Sequence, residues 1–92
     1  YDFCQAKNIE YEAIIEMLVL DDRINVSHTA VPGPDGKRGF GGTCFPKDLN
    51  SFYSQLSELG IESYMAEAAL ARNVQVDRPE QDWNNNKGRA VI

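Results

Sequence analysis

The chain's 92 residues, 42% of them hydrophobic, suffice for one small globular domain and no more. A net charge of −5, with no basic stripe beyond Lys37, Arg38 and Lys47 beside a glycine run, argues against a nucleic-acid partner, whose phosphates an acidic surface repels. No stretch is long and apolar enough to span a membrane. One histidine and two distant cysteines, Cys4 and Cys44, suit neither a metal site nor a disulfide framework.

The opening YDFCQAKN lacks the basic start and apolar run of a signal peptide and has no initiating methionine, so it reads as the middle of a longer chain. Both thiols are expected reduced, as in a cytoplasmic protein. Residues 2 to 7 are helix-compatible. From Ile9 to Asp22 the pattern is helical: Tyr11, Ile14, Ile15, Leu18 and Val19 recur at helical spacing, and Glu10, Glu12 and Glu16 favour the N-terminal half. Ala13, Met17 and Leu20 widen that stripe to most of the circumference, which predicts burial on more than one side, against another domain or another subunit.

Residues 29 to 45 are rich in glycine and proline and read as loop, with turn signals at Pro32-Gly33 and Pro34-Asp35-Gly36. Pro46 opens a helix, Leu49, Phe52, Tyr53, Leu56 and Leu59 form its apolar stripe, and Gly60 ends it. A further helix is expected from about Glu62 to about Val76, with Tyr64, Met65, Ala68, Ala69 and Leu70 on its buried side. Pro79 interrupts it, and the polar tail RPEQDWNNNKGRAVI is a helical turn or a linker. No alternating strand is visible. The fold class is all-α, about three to five helices around a Gly/Pro-rich loop.

The chemistry concentrates in Gly39-Phe40-Gly41-Gly42-Thr43-Cys44-Phe45-Pro46-Lys47-Asp48. Three glycines within four residues let a backbone approach a ligand closely. A cysteine just before a helix sits in a positive local field, which favours the thiolate. Lys47 adds positive charge, and Asp48 supplies a carboxylate able to handle a water. Nucleophile and carboxylate together suit covalent catalysis followed by hydrolysis. The plain alternative is a small buried thiol beside an ordinary turn.

GFGGTCFPKD resembles the cysteine motif of the UDP-glucose and GDP-mannose dehydrogenase family, nearly continuously over these residues. The flanks agree: Tyr11-Glu12 on a helix, then Leu20-Asp21-Asp22-Arg23-Ile24 ahead of the loop. VPGPDGKRGFGG is similar to bacterial and phage-type UDP-glucose dehydrogenases, although residues 27 to 38 form a longer loop than in animal-type members. The resemblance implies the helical central domain over residues 1–92, with the NAD-binding Rossmann domain and the C-terminal nucleotide-binding domain outside the chain. It implies a homodimer, a UDP-sugar substrate and NAD as cofactor, with two successive oxidations through a cysteine thiohemiacetal and thioester.

Carried over by motif position, Cys44 is the nucleophile and Asp48 helps activate water. Lys47 reaches toward NAD, Phe40, Gly41 and Gly42 shape the sugar pocket, and Arg23 reaches substrate, in some members across the subunit boundary. Lys47 also speaks for UDP-glucose over UDP-N-acetylmannosamine, whose dehydrogenases usually lack it. The family's upstream lysine and asparagine are not in this chain, so the isolated piece is expected to be inactive. Alternatives are a dimerisation module without catalysis, a GDP-mannose 6-dehydrogenase piece, and a redox-sensing thiol. His28 and Cys4 read as structural, Arg72 and Asn73 as capping or solvating their helix, Trp83 as a tail anchor or a contact to the missing C-terminal domain, and Asp77, Glu80 and Asp82 as a solvated face.

Overall fold

A computed structural model of the chain describes residues 1–85. Among them are four α-helices and no strand, as an all-α reading requires: α1 (Asp2–Ala6), α2 (Tyr11–Leu18), α3 (Phe45–Glu58) and α4 (Tyr64–Arg72). A π-helical turn, Asn73–Asp77, prolongs α4, and a 3-10 turn follows at Asp82–Asn85. The chain divides into two compact units, Tyr1–Gly36 and the part from Lys37 onward.

In the first unit, α1 is stopped by Asn8, which adopts the left-handed region at φ 54°. The Asn8 N–H donates to the Gln5 carbonyl at 3.3 Å and the Ile9 N–H to the Cys4 carbonyl at 2.8 Å. These paired bonds satisfy carbonyls that the helix end leaves open, with asparagine where glycine is commoner. The backbone re-enters helix only at Tyr11, because Glu10 is extended at φ −73° and ψ 113°. Expected to run from Ile9 to Asp22, α2 is shorter at both ends. At its C-terminal end the Asp21 carboxylate accepts the Arg23 backbone N–H at 3.0 Å, a local turn that competes with helix.

Tyr11, Ala13, Ile14, Ile15 and Val19 are half-buried, whereas Met17, Leu18 and Leu20 are exposed. The Tyr1 and Tyr11 rings meet edge to face, 5.2 Å apart. The Tyr11 hydroxyl donates to the Thr29 carbonyl and ties the returning chain to α2. The expected turn at Pro34-Asp35 closes through the Gly36 N–H to the Gly33 carbonyl at 2.9 Å.

In the second unit α3 begins one residue before Pro46, whose missing N–H costs nothing in a first turn. It ends as the glycine predicts. Gly60 is left-handed at φ 68°, its N–H bonds the Ser57 carbonyl at 3.1 Å, and the Ile61 N–H bonds the Leu56 carbonyl at 3.0 Å. Leu49, Tyr53 and Leu56 of the stripe are half-buried, while Phe52 and Leu59 stay exposed.

The burial expected for α4 is corrected. Tyr64 is 72% and Met65 87% exposed, and Ala68 and Ala69 face outward too. The inward face runs through Ala66, Leu70 and Asn73, which recur at helical spacing. Among the described residues the fully buried ones are Pro46, Asn73, Arg78 and Trp83. This core contains two polar side chains and lies under the glycine run.

Replacing Gly60 with alanine tests the helix stop alone, since nothing lies within 4 Å of where its Cβ would go. Gly60→Ala is expected to destabilise the folded protein by about 1 kcal/mol, the cost of a left-handed alanine, in denaturant unfolding.

Candidate functional site

The first part of the loop entering α3, from Lys37 to Gly41, is held by the residues from Asn73 onward. The Asn73 carboxamide takes both backbone groups of Phe40: Oδ1 accepts the Phe40 N–H and Nδ2 donates to the Phe40 carbonyl, each at 2.8 Å. The Arg78 guanidinium, 0% exposed, donates from Nε to the Arg38 carbonyl at 3.1 Å and from Nη1 to Asp82 Oδ1 at 3.3 Å. Lys37 and Glu80 add a loose surface ion pair at 3.8 Å, which stabilises little.

This packing explains two glycines differently from the sequence. A Cβ at Gly39 would strike Asn73 Oδ1 and lie 2.8 Å from the Asp77 Cβ. A Cβ at Gly41 would strike Arg78 Nη1 and lie 2.7 Å from Asp82 Oδ1. Both are bare because the chain's own interior presses on them. Gly42 differs: it is left-handed at φ 82° with nothing within 4 Å of its Cβ direction, so it faces open space two residues before the cysteine.

Cys44 is exposed and caps α3, its carbonyl accepting the Asp48 N–H at 2.8 Å. Its Sγ lies 3.8 Å from the Thr43 hydroxyl. Lys47 Nζ donates to Asp48 Oδ1 at 2.9 Å. The Asp48 carboxylate, first by that bond and then by its charge, raises the Lys47 ammonium above its ordinary pKa, and the charge of Cys44 adds a smaller push. Thiol, ammonium and carboxylate therefore share one helix end, with Phe40, Gly41 and Gly42 on the loop that leads to it.

Arg23 lies in the first unit, with 88% of its side chain exposed. Its guanidinium forks onto Asp21, Nε to Oδ1 at 3.0 Å and Nη2 to Oδ2 at 2.7 Å. The pairing lowers the Asp21 pKa and raises that of Arg23. His28, also in this unit, is exposed and left-handed at φ 65°.

Asp77 and Asp82, expected on a solvated face, and Asn73, expected to cap or solvate its helix, take structural roles instead, while Trp83 is buried as an anchor would be. Asn73 is buried, Asp77 pairs with Arg72 at 3.1 Å, Asp82 pairs with Arg78, and Trp83, 2% exposed, anchors the tail into this unit. One signal was present: Asn73 continues the Ala66–Leu70 face at helical spacing, where a polar residue needs a buried partner. Among the described residues no helix is long and apolar enough to cross a membrane, and no cluster of three His, Cys, Asp or Glu is placed to hold a metal.

The model of the UDP-glucose/GDP-mannose dehydrogenase family, central domain, matches residues 1–75. No curated protein and no solved structure matches the chain.

Gly39 and Gly42 share a positive φ but not their surroundings, so alanine at each separates conformation from packing. Gly42→Ala is expected to cost about 1 kcal/mol in denaturant unfolding. Gly39→Ala is expected to cost about 1–3 kcal/mol more, because it overpacks a closed interface. Equal losses would show that the loop does not rest on Asn73 and Asp77.

Proposed function

The chain belongs to the UDP-glucose/GDP-mannose dehydrogenase family, whose members are nucleotide-sugar dehydrogenases, and we propose that it carries the catalytic cysteine of an NAD-dependent oxidation of UDP-glucose to UDP-glucuronate. The observation that carries this reading is the exposed Cys44 at the mouth of α3, with Lys47 and Asp48 in the same turn and an open glycine two residues before it. On this reading the chain is the central piece of a longer enzyme. Its Rossmann domain and its second nucleotide-binding domain belong to other parts of that protein.

Lys47 suits an anionic dinucleotide, because its partly exposed ammonium carries a positive charge at the same helix end as Cys44. Lys47 is the residue of this chain that would approach NAD. When bound, NAD supplies the oxidising power for both steps, taking two electrons and one proton at each.

The remaining steps fall to the chain's own residues. After the sugar's 6-hydroxymethyl group has become an aldehyde, Cys44 Sγ adds to its carbon and the oxygen takes a proton, giving a thiohemiacetal. Oxidation of that adduct leaves a thioester between Sγ and the sugar carbon. Asp48 accepts a proton from the attacking water, the carbon–sulfur bond breaks, and the acid departs with the Cys44 thiol restored. Phe40, Gly41 and Gly42 border the sugar, and Arg23, with most of its side chain exposed, reaches substrate from its own or a neighbouring subunit. Reduced thiols and sugar nucleotides fit a cytoplasmic enzyme.

In the enzyme that carries this chain, Cys44→Ser is expected to abolish acid formation, and Asp48→Asn to slow thioester hydrolysis about 100-fold, with acyl-enzyme accumulating in mass spectrometry. Full activity of Cys44→Ser would overturn the assignment. GDP-mannose oxidised in preference to UDP-glucose would move the substrate to the other branch of the family.

Exposed apolar side chains favour a second, compatible reading. Met17, Leu18 and Leu20 on or beside α2, and Tyr64 and Met65 on α4, are large and open to solvent. Such surfaces suit a homodimer contact, and a chain that only dimerises is the non-catalytic alternative. Sedimentation of the purified chain is expected to show a dimer. A monomer at high concentration would count against this reading.

A further inference from the structure

We propose that Asn73 is a positioning residue for the Cys44 loop, acting through the backbone of Phe40; this rests on the reading of Cys44 as the nucleophile. Three observations converge on it. First, Asn73 is 2% exposed and spends its whole carboxamide on one residue, satisfying both the N–H and the carbonyl of Phe40 as a neighbouring strand would. Second, it opens the π-helical turn Asn73–Asp77, closed by the Arg78 N–H to the Asn73 carbonyl at 2.7 Å. That widened turn continues α4 into the segment that packs on Gly39 and Gly41. Third, the span between the two fixed points is short and pliable. Phe40 is pinned by Asn73, Phe45 begins α3, and between them lie Gly41, Gly42, Thr43 and Cys44.

A glycine-rich span samples many conformations unless both ends are held. Helix α3 holds one end, and the Asn73 pair holds the other. With the pair lost, Phe40 would carry two unsatisfied polar groups in a partly buried place, and the loop would move to hydrate them. The sulfur of Cys44 must approach the aldehyde carbon from one face of the carbonyl plane, and displacement by about 1 Å is enough to cost a large share of the rate. Asn73 touches no substrate in this scheme. It acts by fixing where the loop starts.

The test compares Asn73→Ala and Asn73→Asp in the enzyme that carries the chain. Two quantities are measured: amide hydrogen exchange across residues 39–44, and kcat and KM with UDP-glucose and NAD. For Asn73→Ala, exchange at Phe40 is expected to accelerate and kcat to fall about tenfold or more, with KM for NAD within about twofold of the unsubstituted enzyme. Asn73→Asp keeps the shape and the acceptor for the Phe40 N–H but sets a buried carboxylate oxygen against the Phe40 carbonyl, so its kcat should fall at least as far.

A role confined to stability would lower the melting temperature and leave kcat of the folded enzyme unchanged; that result would overturn the proposal. So would unchanged exchange across residues 39–44. Should Asn73→Ala not fold, Asn73→Ser, which is small, uncharged and too short to reach both groups of Phe40, carries both measurements. If the unsubstituted enzyme oxidises no nucleotide sugar, the proposed function fails, and exchange alone decides the positioning role: local acceleration supports it and no change overturns it.

Discussion

The second unit is organised by the need to hold a strandless loop against a helix end. A glycine run has little side-chain surface with which to pack itself down, and its backbone groups need partners wherever water is excluded. The chain meets that need with one carboxamide. Asn73 pairs with both polar groups of Phe40, and neighbouring features follow from the pairing. Gly39 must be bare because Asn73 and Asp77 lie against it. Residue 73 must face inward, so α4 turns Ala66 and Leu70 inward with it and leaves Tyr64 and Met65 outside.

Arg78 extends the same device at a higher electrostatic cost. A guanidinium removed from water needs both a counter-charge and hydrogen-bond acceptors. Asp82 supplies the first and the Arg38 carbonyl contributes to the second. The long side chain lies against Gly41, so a charged residue performs the packing that a leucine performs in an ordinary core. Trp83 supplies much of the apolar surface that closes this region. The core is therefore small and half polar, and its specificity comes from directional bonds more than from volume.

The sequence announced the features that depend on neighbours in the chain. The α3 stripe, the proline in its first turn and the stop at Gly60 are local, and so is the Pro34-Asp35 turn. The motif around Cys44 was equally legible, because thiol, lysine and carboxylate sit within one helical turn of one another. What lay hidden depends on distance along the chain. Asn73 and Phe40 are 33 positions apart, and nothing in the residues around either one names the other. The α4 face was misjudged for a related reason. Tyr64 and Met65 look buried by size, but the inward face is set by Asn73, which carries Ala66 and Leu70 with it at helical spacing. The ends of α2 were overestimated because Glu10 and Asp21 are acceptable in helices, and only the local backbone shows that they leave it.

Residues that match the family end at 75, yet the unit does not end there. Arg78, Asp82 and the buried Trp83 all lie past that point, and the first two lie against Arg38 and Gly41 of the loop that leads to Cys44. Kinship and folding thus draw different borders on this chain. A piece cut at residue 75 would keep the thiol, its lysine, its carboxylate and Asn73, and would still have lost the side chains that brace Arg38 and Gly41 upstream of them.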